Sequence, residues 1–183
     1  MEGTKIPDIT FHYREGDAAP GDGGCAIGGE WVRRTTADLF AGKRVLVFSL
    51  PGAYTPTCST YQLPGFENNY FKILNHERYG KHIDEIYVAA VNDSFVMNAW
   101  AHQLQIENVK MLPDGNGEFC DSLGMLIDMS AVGFGKRSRR FAVVIDDGVV
   151  ERAFVEPEAT HREPDPYGET SPENVMNYLG IAK

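Results

Sequence analysis

Hydrophobic positions fall into short blocks separated by polar, glycine-rich and proline-rich punctuation, and their spacing alternates between strand and helix periods. "RVLVFSL" (44–50) is a nearly continuous apolar run of strand length, the pattern of a strand buried on both faces. "HIDEIYVAAVND" (82–93) is a second such run and "NVKMLPD" (108–114) a shorter third. Between them, Tyr61, Phe66, Tyr70, Phe71, Ile73 and Leu74 predict a helix from Pro56 to about Asn75, with a kink at Pro64 and Gly65. "SFVMNAWAHQLQ" (94–105) predicts another amphipathic helix, whose Phe95, Met97 and Trp100 suit packing on a sheet, and "EFCDSLGML" (118–126) a short one.

The ends follow the same logic. "KIPDITFHYRE" (5–15) reads as a strand leading into a glycine-rich loop or hairpin excursion, and "TTADLFAGK" (35–43) as a helical turn with Thr36 as its N-cap. "RRFAVVID" and "VVERAFVEP" flank Asp147-Gly148, the strongest hairpin signal in the chain. A Pro-rich loop, "ATHREPDPYGET", precedes a last helix, "SPENVMNYLG", with Ser171 as N-cap, Pro172 first and Gly180 at the stop. The whole predicts one α/β domain over residues 1–183, with a mixed central sheet flanked by helices.

Composition narrows the class of partner. A formal charge of −9 and a pI near 5.0 disfavour nucleic-acid backbones and anionic membranes. No run approaches the ~18 apolar residues of a membrane span, and "MEGTKIPDIT" lacks the features of a signal peptide, so a cytoplasmic protein is expected. Three cysteines, Cys25, Cys58 and Cys120, are too few for a disulfide scaffold.

Cys58 is the position that carries chemistry. It lies just past a buried strand, where α/β sheets collect their active groups. With Thr55 as N-cap and Pro56 first in the helix, Cys58 falls third, among free backbone N–H groups that favour a thiolate. The plainer reading is a small buried hydrophobe. A Cys-x-x-Cys redox pair is absent because Tyr61 stands at the partner position. His12, His76, His82, His102 and His161 form no hydrolase signature, and no Cys or His pair has metal-ligand spacing, so neither metal nor cofactor is expected.

"PGAYTPTC" resembles the Pro-x-x-x-Thr-x-x-Cys motif of peroxiredoxins, and specifically of the type II, or peroxiredoxin-5-like, group. "VNDSFVMNAW", "LPDGNGEF", "GFGKRSRRFAVVIDDGVVE" and "FVEPE" extend the likeness from about Lys5 to the C-terminus. It is most similar to the peroxiredoxin half of bacterial peroxiredoxin–glutaredoxin hybrids. The resemblance implies a thioredoxin-like sandwich and a thiol peroxidase that reduces hydrogen peroxide and organic hydroperoxides through a Cys58 sulfenic acid. It makes Cys58 the nucleophile, Pro51 a shield and Thr55 a contact to sulfur or peroxide. The backbone N–H groups of Thr57 and Cys58 then receive an oxygen. Arg140 matches the family's activating arginine; by sequence alone Arg137 and Arg139 compete with it.

The resemblance leaves the return half of the cycle open. Tyr87 stands where plant-type relatives carry a resolving cysteine, and no cysteine follows Cys120. The simplest expectation is a one-cysteine cycle using glutathione and a separate glutaredoxin. The alternative is an internal disulfide from Cys58 to Cys120 or Cys25, reduced by thioredoxin; Cys120, opening a short helix, is a candidate for a lowered pKa. The family implies a homodimer. Two further readings are a redox-sensing or holdase-like protein using the same thiol without turnover, and a thioredoxin-like domain with an inert Cys58.

Overall fold

The computed structural model describes residues 1–16, 29–77, 80–158 and 165–181. β1 (Thr10–Glu15) pairs antiparallel with β2 (Glu30–Thr35), Thr10 opposite Thr35. α1 (Thr36–Phe40) follows directly, and its N-cap is Thr35, not the predicted Thr36. Thr35 Oγ1 accepts from Asp38 N–H (3.2 Å) while Asp38 accepts from Thr35 N–H (2.8 Å), a closed capping box. Thr36 turns inward instead, donating to the Pro7 carbonyl at 2.9 Å.

β3 (Arg44–Ser49) is the middle of a five-stranded sheet. β4 (Glu85–Ala90) lies parallel on one side of it, with β5 (Lys110–Pro113) parallel beyond. On the other side β8 (Phe141–Asp146) and β9 (Val149–Val155) run antiparallel, giving the order β5-β4-β3-β8-β9. The predicted β8–β9 turn is present: Asp147 and Gly148 both take positive φ, 48° and 75°, which matches the twist of the flanking strands. A smaller hairpin of β6 (Leu126–Asp128) and β7 (Lys136–Ser138) is new relative to the sequence pattern, its strands being too short to show a period.

The predicted long helix is divided differently from expectation. It starts at Pro56, passes through a wide π turn at Cys58–Gln62 and continues as α2 (Leu63–Asn68); after Asn69 comes α3 (Tyr70–Leu74). In the wide turn Leu63 N–H reaches back five residues to the Cys58 carbonyl. Pro64, which cannot donate and whose ring crowds the carbonyl four residues earlier, sits just beyond the widening. Gly65 is small for a separate reason: a Cβ there would come within 2.9 Å of Pro172 Cγ, at the start of α6 (Pro172–Leu179). α6 itself has the expected caps, Ser171 accepting from Asn174 N–H and Gly180 at φ 82°.

Strand alternation splits the core in two. Leu46 and Phe48 of β3 face a cluster built with Leu63 and Phe66 of α2, Trp100 of α4 (Ser94–Gln103) and Val175 of α6. Val45 and Val47 face the opposite side, where Phe11 of β1, Phe40 of α1 and Phe119 of α5 (Glu118–Ser122) pack. Phe48 stacks on Phe66 with centroids 4.2 Å apart, fixing α2 against the sheet.

Glu67 ties α2 to the approach to β5. Its carboxylate accepts from the backbone N–H groups of Glu107, Asn108 and Val109 (3.1, 3.0 and 2.9 Å) and from the Asn108 side chain (2.7 Å). Partial burial alone would raise its pKa, but these donors outweigh that and hold it below the ordinary carboxylate value. A depressed folded pKa means stabilisation that is present at neutral pH and lost as pH falls through the folded value. Glu67→Gln is therefore expected to cost about 2 kcal/mol in urea unfolding at pH 7. The gap to wild type should close below about pH 4.

Candidate active site

The loop after β3 is shaped by its own backbone. Ala53 N–H donates to Asn92 Oδ1 at 3.0 Å, Thr55 Oγ1 donates to the Gly52 carbonyl at 2.9 Å, and Tyr54 is held at φ 65°, a left-handed conformation unusual for a bulky residue. Thr55 thus braces the loop through its hydroxyl and starts the helix through its carbonyl, which accepts from Ser59 N–H at 3.0 Å. The predicted side-chain cap is replaced by that brace. With Ser59 the first in the ladder, the N–H groups of Thr57 and Cys58 lie ahead of it, as expected of the first turn.

Cys58 is fully buried, and Arg140, immediately before β8, brings Nη1 to 3.3 Å from its sulfur. The other two arginines have different duties. Arg137 donates to the carbonyls of Phe134 and Val91, and Arg139 donates through Nε and Nη2 to the Glu156 carbonyl. Arg140 also donates from Nη1 to Gln62 Oε1 (2.5 Å) and from Nη2 to Asp165 Oδ1 (2.5 Å), and it lies 5.8 Å from the Tyr167 ring centroid. Its buried Nε has no partner among the described residues. Burial alone would lower the Arg140 pKa; the negative charges of Cys58 and Asp165 overcome that and raise it.

The neighbours of Arg140 are themselves anchored. Gln62, fully buried, donates from Nε2 to Thr170 Oγ1 (3.2 Å), and Thr170 Oγ1 in turn donates to Glu156 Oε1 (2.8 Å). Glu156 Oε1 also accepts from the N–H groups of Gly168 and Thr170, both at 2.8 Å, and its own N–H donates to the Arg140 carbonyl. On the other side, Trp100 Nε1 donates to Ser59 Oγ at 3.0 Å, pinning the residue after Cys58. Gln62 was open to sequence reasoning, since it stands four residues after Cys58 on one helical face. Asp165 and Tyr167 carried no local signal.

Pro51 and Arg140 both line a cavity of about 210 Å³, with Ile127, Met129, Pro157 and Pro166 as its apolar wall. Cys58 meets this cavity through Arg140, and Thr55 lies on the loop and first turn between Pro51 and Cys58. Cys120 is not with them. It packs in the core cluster on the opposite face of the sheet from Cys58, 3.7 Å from Ser49 Oγ. Burial, then the Asp114 carboxylate, push its thiol well up, the reverse of the lowered pKa expected from a helix start. Asp114 accepts from the N–H groups of Phe119 and Cys120, so a charge occupies the first turn of α5 already. Cys25 lies outside the described residues.

The mixed five-stranded sheet, with a buried cysteine at a helix start facing an arginine beyond the end of the central strand, is of the thioredoxin-like class. The family model described as Redoxin matches residues 1–169. The hybrid peroxiredoxin hyPrx5 of Haemophilus influenzae is 44% identical over 180 residues, covering 98% of this chain and 66% of that protein. A peroxiredoxin of Rhizobium etli is 45% identical over 180 residues, covering 96% and 94%. The crystal structure of the Plasmodium falciparum antioxidant protein, a 1-Cys peroxiredoxin, superposes with a TM-score of 0.81 at 31% identity, covering 99% of this chain and all of that one. The chain belongs to the peroxiredoxins, in their type II, Prx5-like group.

The two described thiols should separate chemically. With the small reagent methyl methanethiolsulfonate at pH 7, peptide mapping should find Cys58 modified and Cys120 untouched until the protein is unfolded. Arg140→Ala should slow modification of Cys58 about tenfold, with Arg140→Lys recovering part of the loss. Equal labelling of Cys58 and Cys120 in the folded protein would contradict the assignment of the reactive thiol.

Proposed function

We propose that this peroxiredoxin is a thiol peroxidase acting on hydrogen peroxide and organic hydroperoxides, with Cys58 as nucleophile. The observation that carries this reading is the 3.3 Å approach of Arg140 Nη1 to the buried Cys58 sulfur. The thiolate attacks the terminal peroxide oxygen and the O–O bond breaks. Its electrons leave with the distal oxygen as hydroxide or alkoxide, which takes a proton from water. Cys58 is left as the sulfenic acid.

Each surrounding group has a part in that step. Arg140 favours the thiolate, and its unpartnered Nε is the donor assigned to a peroxide oxygen. Thr55, whose hydroxyl proton is committed to Gly52, offers its oxygen as acceptor for the peroxide O–H. The N–H groups of Thr57 and Cys58 stabilise charge on the leaving oxygen, and Pro51 shields the site from bulk water. The apolar wall of the cavity supports a carbon-bearing hydroperoxide as well as hydrogen peroxide.

We assign recycling to an external thiol, glutathione with a separate glutaredoxin, in a one-cysteine cycle. The sheet between Cys58 and Cys120 supports this, because a disulfide needs the two Cα atoms within about 7 Å. The likeness to the Plasmodium falciparum antioxidant protein, a 1-Cys peroxiredoxin, is consistent with such a cycle. Free thiols at Cys58 and Cys120 suit a reducing cytoplasm. The exposed apolar side chains of Ile127, on the cavity wall, and of Val132 and Phe134 support a homodimer.

Continuous peroxide consumption with glutathione and glutaredoxin is expected, and Cys58→Ser should abolish it. Intact-mass analysis after one equivalent of peroxide and then glutathione should show a single glutathione on Cys58. An internal Cys58–Cys120 or Cys58–Cys25 bridge in place of the adduct would overturn the one-cysteine cycle and favour thioredoxin. A single stoichiometric oxidation without turnover would instead indicate a redox sensor.

A further inference from the structure

The cavity that opens on Arg140 is apolar in shape but not in charge. Two guanidiniums, Arg139 and Arg140, share its wall with three carboxylates, Glu156, Glu158 and Asp165. Most of these are spoken for. Glu156 is turned onto the 168–170 backbone, and Arg139 holds the Glu156 carbonyl with Glu158 3.9 Å from its Nη1. Asp165 differs because it sits on the reacting arginine itself, 2.5 Å from Nη2, while 42% of its side chain remains exposed at the cavity mouth.

A buried guanidinium beside an apolar cleft is a natural receptor for anions, since two parallel N–H groups fit a carboxylate or similar oxyanion. Here Nη1 is committed to Cys58 and Gln62 and Nε is the donor assigned above to the peroxide oxygen, so Nη2 is the position left for a second, anionic group. Asp165 already occupies it. Asp165 also lines the cavity with its side chain 42% exposed, so an anion entering there meets repulsion focused by low-dielectric walls, and an uncharged molecule does not. Building on the peroxidase reading above, we propose that Asp165 sets the charge specificity of the site, closing Arg140 to anionic oxidants and directing it to uncharged hydroperoxides.

A matched pair of substrates tests this. 4-Hydroperoxy-4-methylpentanoate and its methyl ester share one hydroperoxide and differ in a nearby carboxylate. Stopped-flow oxidation of wild-type protein should be about tenfold faster for the ester. Added salt should raise only the anion's rate. In Asp165→Asn, which keeps the size of the side chain, the anion's rate should rise until the gap is within about twofold and its salt dependence should largely vanish. Any change in the ester's rate reads the support Asp165 gives Arg140, and the ratio of the two rates reads the charge specificity. Glu158→Gln, at the exposed rim, should leave the ratio within about twofold of wild type.

A gap unchanged in Asp165→Asn, or both rates changing by one factor, would overturn the specificity role while leaving the peroxidase reading intact. Failure of wild-type protein to react with either compound or with hydrogen peroxide would overturn the peroxidase reading, and this inference with it.

Discussion

Burying Arg140 constrains everything around Cys58. A guanidinium stays charged at any ordinary pH, and one only 4% exposed is tolerable only if anions and strong acceptors surround it. Its partners come from three places in the chain: the sulfur and Gln62 from the turn after β3, Asp165 and Tyr167 from the segment before α6, and the Glu156 N–H on its carbonyl from the end of β9. Glu156 then fastens the Gly168 and Thr170 backbone, so the segment that carries Asp165 is held by the same residue that supports Arg140. Reactivity and packing meet in one charge network.

The central sheet gives two cysteines opposite characters. Cys58 has a guanidinium beside it and the start of a helix beneath it. Cys120 lies across the sheet, enclosed by apolar residues, two serine hydroxyls and the Asp114 carboxylate. One residue type thus sits beside a fixed positive charge on one face and beside a carboxylate on the other, and the difference comes from surroundings alone.

Features determined by near neighbours were the legible ones. The double-faced apolar runs located β3 and β4, Asp147-Gly148 located the β8–β9 turn, and Ser171 with Pro172 and Gly180 bounded α6. The α1 cap was also local, but Thr35 and Thr36 both fit the rule, and only Asp38 three residues after Thr35 separates them. Pro64 predicts a kink at its own position, whereas the backbone widens one turn earlier, at Cys58–Gln62. At the site, Cys58, Thr55 and Pro51 came from one contiguous motif and Arg140 from the family likeness. Asp165 was out of reach, because it meets Arg140 across 25 residues and no spacing rule relates them.

Gly65 is easily passed over, a residue with no side chain in the first turns of a helix. Its bare backbone lets Pro172 lie against the helix that carries Cys58. Six residues earlier in the chain than Pro172 stands Pro166, next to Asp165, which holds the other end of the same contact through Arg140. The turn that carries Cys58 and the C-terminal segment are therefore clamped at two points, like a strap buckled at both ends. Any displacement of that turn has to break both fastenings at once, so the two segments are mechanically coupled.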